Sequence, residues 1–283
     1  MIFKEHYYYL IAGLPDILLD ETRSKISVSD LLEEIKTQLH PEDHKLLQVL
    51  FLKYDNANLL NLLLKREKAF NEGGIYPQDL LEEQIKEPDD RIHNYLRQFI
   101  ELFKADDRED QDKTWEVVLE EYYFGFLLDI SNEFLREWFR FQLNLKNVTT
   151  ALSCRKHEIP VESQLIGDNE VVQSILRSNA RDFGLTQDFP EVEQILAEWE
   201  RENILEREKA LDSIRWNWID EHTFFHYFTV EKVIGYLLQL EMVERWMNLD
   251  PRKGERMFRE LLEKMQSSFE LPDEFHLQHI KRK

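Results

Sequence analysis

Three segments of the chain carry two polar residues, three positions apart, near the end of an apolar helical pattern. They read "YDNANLLNLLLKRE", "LNLKNVTTALSCRK" and "LEMVERWMNLDPRK" and span residues 54–67, 143–156 and 240–253. The polar positions hold Asp55 and Asn58, Asn144 and Asn147, and Glu241 and Glu244. Each segment precedes a turn with Gly or Pro and then a second helical pattern. We therefore predict one helical module used three times, in segments 1–104, 105–185 and 186–283 of one compact unit.

The scarcity of turn-forming residues predicts that these modules are built from helices. The 283 residues include only 8 Gly and 8 Pro, whereas a β protein of this size needs more turn glycines. Hydrophobic residues make up 42% of the chain and aromatic residues 12%, which is enough to form a core. The sequence therefore predicts an all-α fold.

Hydrophobic periodicity and capping residues indicate where the helices lie. Long helical stretches are predicted over residues 41–70, 115–130, 132–156, 190–220, 230–248 and 251–266. A Ser-capped helix is expected from about residue 28 to 39, and Asp89 and Asp90 are expected in the first turn of another helix. The charge-rich run 198–212 is interpreted as a solvated helix face.

The repeated polar pairs need an explanation because Asn is a poor helix former. Positions i and i+3 share a helix face, and Asp55 and Asn58 lie in a stripe with Leu47, Phe51 and Leu62. A buried carboxylate needs a partner, and Arg66 and Arg155, which follow the pairs, are the expected partners. Two interpretations remain: the pairs connect the modules and fix their register, or they line a central surface where a partner docks.

Charge and cysteine content limit the classes of partner. The net charge is −20, so a nucleic acid or an anionic lipid surface is not expected as a partner, whereas a basic protein is compatible. The single cysteine, Cys154, allows no intramolecular disulfide, which fits a reducing cytoplasm. The apolar run from Tyr7 to Leu14 is too short to span a membrane. We expect a chain with no membrane span that is a monomer when isolated.

The sequence carries no strong catalytic motif. It contains neither a phosphate-binding Gly-x-x-x-x-Gly-Lys-Ser/Thr string nor His-Glu-x-x-His. His222 and His226 have metal-ligand spacing beside Asp220 and Glu221, but a surface histidine pair explains them more simply. The tryptophans are expected mainly in the core, and only tryptophans exposed near Phe224 and Phe225 would mark a binding patch. We expect no catalytic, cofactor-binding or metal-binding residue.

The chain resembles the C subunits of the V/A-type (vacuolar/archaeal-type) rotary ATPases, which correspond to the d subunits of eukaryotes, and looks like a remote bacterial variant of them. The resemblance rests on the opening "YYYLIAGLP", on the three modules and on "WEVVLEEYYFGFLLDISNEFLREWFRFQLNLKNVTTALSCRK". Family members carry Asp/Asn-x-x-Asn-aliphatic at the corresponding helix ends, often followed by Arg. The third copy departs from this pattern, because it has Glu241 and Glu244.

The resemblance implies an all-α funnel of three modules around a pseudo-threefold axis. It also implies a non-catalytic socket in the central stalk, peripheral on the cytoplasmic face of the membrane, between the rotor shaft subunits and the membrane proteolipid ring. The residues implied in partner binding or inter-module contact are Asp55, Asn58, Arg66, Asn144, Asn147, Arg155, Glu241 and Glu244.

Two other functions fit the sequence. A helical-repeat adaptor unrelated to rotary motors predicts an open solenoid with an extended groove. A metal-dependent helical enzyme that uses His222 and His226 predicts a bound metal in a closed polar pocket.

Overall fold

The computed structural model describes residues 6–19, 26–106, 108 and 110–249. Within these ranges the chain forms twelve α-helices and no strand, which confirms the all-α prediction. The first six are α1 (Tyr8–Gly13), α2 (Val28–Ile35), α3 (Pro41–Gln48), α4 (Leu52–Leu63), α5 (Gln78–Lys86) and α6 (Asn94–Ala105). The others are α7 (Trp115–Leu128), α8 (Glu133–His157), α9 (Glu170–Arg177), α10 (Val192–Trp199), α11 (Ile204–Thr223) and α12 (Val230–Asn248).

Side-chain caps fix the start of several helices. The Ser27 hydroxyl accepts from the Asp30 N–H and the Asp30 carboxylate accepts from the Ser27 N–H, which completes a capping box at α2. Asn132 caps α8 by accepting from the Leu135 N–H. Each such cap stabilises its helix by about 1 kcal/mol. The predicted Ser cap of the second helix is confirmed.

Two predicted long helices are interrupted. The expected helix over 190–220 is wrong: α10 ends at Trp199, and Asn203 caps a new helix by accepting from the Leu205 N–H at 3.0 Å. The expected helix over 41–70 contains a 3-10 turn at Val49–Phe51 and ends at Leu63. Lys65, just after the end of α4, has a left-handed backbone conformation with a φ of 52°.

The placement of Asp89 and Asp90 in a first helical turn is also wrong. Helix α6 begins at Asn94, beyond both residues. The Asp89 carboxylate instead accepts from the Arg91 N–H and from the Gln84 amide, a local turn that competes with helix formation. The predicted helix over 251–266 lies outside the described residues.

The helices share one hydrophobic core. Consecutive helices pack in pairs: α6 on α7, α7 on α8, α8 on α9, α10 on α11 and α11 on α12. Trp218 on α11 stacks on Phe141 of α8 at a ring distance of 5.3 Å, and Trp138 is buried beside them. The prediction that most tryptophans lie in the core is confirmed for Trp138 and Trp218. Trp115, Trp199 and Trp216 are partly buried and pack against the core.

Packing between distant parts of the chain closes the fold. Helix α4 packs on α7, α10 packs on α8, and α12 packs back on α2 near the start of the chain. The segments 1–104, 105–185 and 186–283 therefore each contact the other two. Among the described helices, none combines the length and the apolar character needed to cross a bilayer.

Candidate functional site

The first polar pair lies on α4 and holds the loop that follows this helix. The Asn58 amide pairs with both backbone groups of Asn71: its Oδ1 accepts from the Asn71 N–H at 2.9 Å, and its Nδ2 donates to the Asn71 carbonyl at 2.9 Å. Asn58 is buried. An amide is the side-chain group that satisfies a donor and an acceptor on one residue at once, which explains why Asn occupies this position.

Asp55 holds the same loop closer to α5. Its two carboxylate oxygens accept from the backbone N–H groups of Ile75 at 2.9 Å and Tyr76 at 3.0 Å. The side chain is fully buried, and burial raises the pKa of the Asp55 carboxyl above its ordinary value, although both backbone hydrogen bonds oppose the increase. A Cβ added to Gly74 would lie 2.4 Å from Asp55 Oδ1, so the loop passes too close for any larger residue.

The expected pairing of Asp55 with Arg66 is therefore wrong. Backbone N–H groups partner the carboxylate, and the Arg66 guanidinium forms an ion pair with Glu116 on α7. That ion pair connects segment 1–104 to segment 105–185. The sequence could not show this choice, since the competing N–H groups belong to a loop about twenty residues away.

The second polar pair repeats this arrangement on α8. The Asn147 Oδ1 accepts from the Ile166 N–H at 2.9 Å, and its Nδ2 donates to the Ile166 carbonyl at 3.0 Å. The Asn144 Oδ1 accepts from the Asn169 Nδ2 at 2.9 Å. Asn169 in turn caps α9 by accepting from the Val172 N–H. In both copies the second polar residue binds one loop residue twice, and the first binds near the start of the next helix.

The third pair has a different environment. Both carboxylate oxygens of Glu241 accept from Lys53 Nζ at 2.9 Å, and the Tyr54 hydroxyl lies 3.5 Å from one of them. The Glu244 carboxylate accepts from the Val28 N–H at 2.6 Å, at the start of α2. Both residues thus connect segment 186–283 to segment 1–104. The turn and helix predicted to follow this copy lie outside the described residues.

The contacts of Arg155 differ both from the ion pair of Arg66 and from the contacts of Glu241 and Glu244. The Arg155 guanidinium donates to the Arg181 carbonyl at 3.3 Å and lies 4.1 Å from the centre of the Phe183 ring. These contacts stay within segment 105–185. The eight predicted residues thus form no single cluster: Arg66, Glu241 and Glu244 contact another segment, and the other five contact their own. Their role in partner binding stays a prediction.

Sequence reasoning missed a buried charged group at Asp212. This residue ends the run interpreted as a solvated face, yet it is fully buried on α11. Its carboxylate accepts from Arg215 on the same helix and from Arg245 and the Trp246 indole on α12. The spacing of Asp212 and Arg215 by three residues was the available signal, but the α12 partners come from a separate helix.

The two histidines with metal-ligand spacing face different partners. The His222 ring stacks on the Trp218 ring, with the two ring centres 3.7 Å apart. The His222 Nδ1 lies 2.8 Å from the Trp218 carbonyl oxygen. The His226 Nδ1 lies 3.6 Å from Glu231 Oε2. Within the described residues, no group of three or more His, Cys, Asp or Glu side chains is arranged to hold a metal ion.

The rings beside these histidines are exposed. Phe224 and Phe225 lie on the turn between α11 and α12, and Phe225 has 79% of its surface exposed. Tyr227 and Phe228 of the same turn and Tyr8 and Tyr9 of α1 are also exposed. We refer to Tyr8, Tyr9, Phe224, Phe225, Tyr227 and Phe228 as the aromatic patch.

Comparison with known protein families places most of the chain in a described family. The model of a family described as "Protein of unknown function (DUF2764)" matches residues 4–269. No curated protein matches the chain. No solved structure matches it.

Proposed function

The chain belongs to the DUF2764 family, and we propose that it is a non-catalytic central-stalk component of a V/A-type rotary ATPase. In this role it is a socket for the rotor shaft and rests on the membrane proteolipid ring at the cytoplasmic face. It would couple ATP hydrolysis to ion transport, or ion flow to ATP synthesis. The proposal combines the sequence resemblance to the C subunits of these motors with the closed arrangement of the chain.

The observation that carries the proposal is the contact between the first and last described segments. Helix α12 packs on α2, Lys53 pairs with Glu241, and the Tyr236 hydroxyl donates to the Pro15 carbonyl at 2.9 Å. In an open solenoid each repeat contacts only its neighbours, so the two ends stay apart. The observed closure favours three modules around a common axis, as a socket requires, over an extended adaptor.

The buried polar pairs support the same role. A stalk component has to transmit torque without deforming, so the loops between its helices must be held in place. The buried side chains of Asn58 and Asn147 each fix such a loop through two hydrogen bonds, and burial strengthens a hydrogen bond relative to water. The equivalent anchor in two segments agrees with a repeated module.

Affinity purification tests this function. The tagged chain is recovered in mild detergent from membranes of its own cells, and the bound proteins are identified by mass spectrometry. We expect the nucleotide-binding subunits, the rotor shaft and the proteolipid ring. Recovery of soluble partners alone, or of none, would overturn the proposal, and the soluble partners would then favour the helical adaptor.

A further inference from the structure

The aromatic patch gathers exposed rings from two parts of the chain, α1 and the turn between α11 and α12. The Phe224 and Phe225 rings are 4.9 Å apart, and the Tyr8 and Phe228 rings are 4.5 Å apart. The Tyr7 N–H donates to the Phe228 carbonyl at 2.7 Å, which holds α1 beside the turn between α11 and α12. Exposed aromatic rings grouped in this way are typical of binding surfaces.

The turn that carries the patch is fixed from both sides. The His226 N–H donates to the Thr223 carbonyl at 2.9 Å. The buried Glu231 carboxylate accepts from the Thr229 hydroxyl and from the Asn132 amide at the start of α8. These hydrogen bonds fix the backbone of the turn, while its aromatic side chains stay exposed to solvent. Large rings on a fixed backbone lose little conformational entropy when a partner covers them.

The charges around the patch indicate the partner's chemistry. Residues 220–232 contain two exposed carboxylates, Asp220 and Glu221, and one amine, Lys232, whereas the Glu231 carboxylate is buried. Asp220 also accepts from the Gln239 amide at 2.7 Å, and the Lys232 Nζ donates to the Thr223 hydroxyl at 3.5 Å. Because the chain has a net charge of −20, we do not expect anionic lipid or nucleic acid as the partner of this surface.

We propose that the aromatic patch is the docking surface for a partner-protein segment that carries Lys or Arg between apolar side chains. The apolar groups would cover Phe224, Phe225 and Tyr8, while the cations would pair with Asp220 and Glu221 and lie on the ring faces. This inference does not depend on the rotary ATPase role, since any protein with such a segment satisfies it.

Site-specific photo-cross-linking tests the proposal. The full chain carries p-benzoylphenylalanine in place of Phe225 and is irradiated in an extract of its own cells that includes the membranes. A control chain carries the same group in place of Ile204, an exposed residue at the start of α11. We expect the Phe225 chain alone to cross-link to a partner segment that contains at least two Lys or Arg residues beside apolar residues.

A synthetic peptide of the cross-linked segment then provides the affinity measurement. We expect its affinity to fall about tenfold or more in Phe225→Ser and several-fold in Glu221→Lys, because both changes remove central contacts. The Ile204→Ser chain should bind the peptide as the unaltered chain does. Cross-links to lipid, to a second copy of this chain, to an acidic segment or to nothing would each overturn the proposal, as would equal cross-linking from Ile204.

Discussion

Asn147 binds Ile166 through both backbone groups of that residue, with its Oδ1 2.9 Å from the amide nitrogen and its Nδ2 3.0 Å from the carbonyl oxygen. Asn58 binds Asn71 in the same way. These contacts explain why a helix that must pack carries poor helix formers. Each Asn supplies the hydrogen-bond partner that a loop residue outside regular secondary structure lacks, at the buried Ile166 and at the exposed Asn71.

Removal of the Asn147 side-chain amide should lower the stability of the fold. In Asn147→Ala, the Ile166 N–H and carbonyl lose their partners in a buried position, and each unsatisfied group costs about 1–3 kcal/mol. We expect urea denaturation to show a free energy of unfolding lower by about 2–4 kcal/mol. The control is Thr149→Ala on the same helix, whose hydroxyl bonds only to carbonyls of α8; it should change the free energy by less than about 0.5 kcal/mol. Equal values for the two variants would contradict the anchor.

Gly74 should not tolerate a larger residue. A Cβ at this position would lie 2.4 Å from Asp55 Oδ1, so the Asp55 hydrogen bonds or the loop must shift. Gly74→Ala should therefore lower the free energy of unfolding by about 1–3 kcal/mol. The matched control is Gly125→Ala, which lies in α7 with open space around it and should stabilise the chain by about 0.5–1 kcal/mol. An unchanged free energy of unfolding in Gly74→Ala would show that the loop does not need this close approach to Asp55.

The contribution of Asp55 to stability should depend on pH. Burial raises the pKa of Asp55 in the folded state, so the folded chain holds this proton more tightly than the unfolded chain. The protonated Asp55 side chain therefore contributes its full stabilisation at a pH below its pKa in the unfolded chain, which is about 4. This contribution decreases as the pH rises through the higher pKa of Asp55 in the folded chain. The difference in unfolding free energy between the native chain and Asp55→Asn should therefore fall as the pH is raised above about 4. A difference that grows with pH would contradict the raised pKa.

The Lys53–Glu241 ion pair should be detectable as a coupling between the first and last segments. Because both side chains are partly exposed, we expect an interaction energy of about 0.5–1 kcal/mol in a double-mutant cycle of Lys53→Ala and Glu241→Ala. A charge swap, Lys53→Glu with Glu241→Lys, should recover most of the stability lost in Lys53→Glu. The exposed Lys45–Glu42 pair within α3 gives a control for local ion pairing. Strict additivity at Lys53 and Glu241 would contradict the closing contact.

The sequence was informative where a local rule determines the structure. The Ser27 cap, the break near Ser131 and the bounds of α12 follow from capping residues and periodicity. It was less informative where burial depends on a distant helix. Asp212 resembles a surface residue until α12 brings Arg245 and Trp246 to it. For the same reason the spacing of Asp55 and Asn58 indicated a buried polar face but could not identify the loop residues that partner it.

The most direct test of the stalk role is ATP-driven ion uptake by inside-out membrane vesicles from cells that lack this chain. Proton uptake is followed with a pH-sensitive dye, sodium uptake with radioactive sodium, and ATP hydrolysis in the same samples. If the chain is the socket between shaft and ring, ion uptake should be absent and should return when the purified chain is added back. Equal uptake with and without the chain would contradict the proposed function.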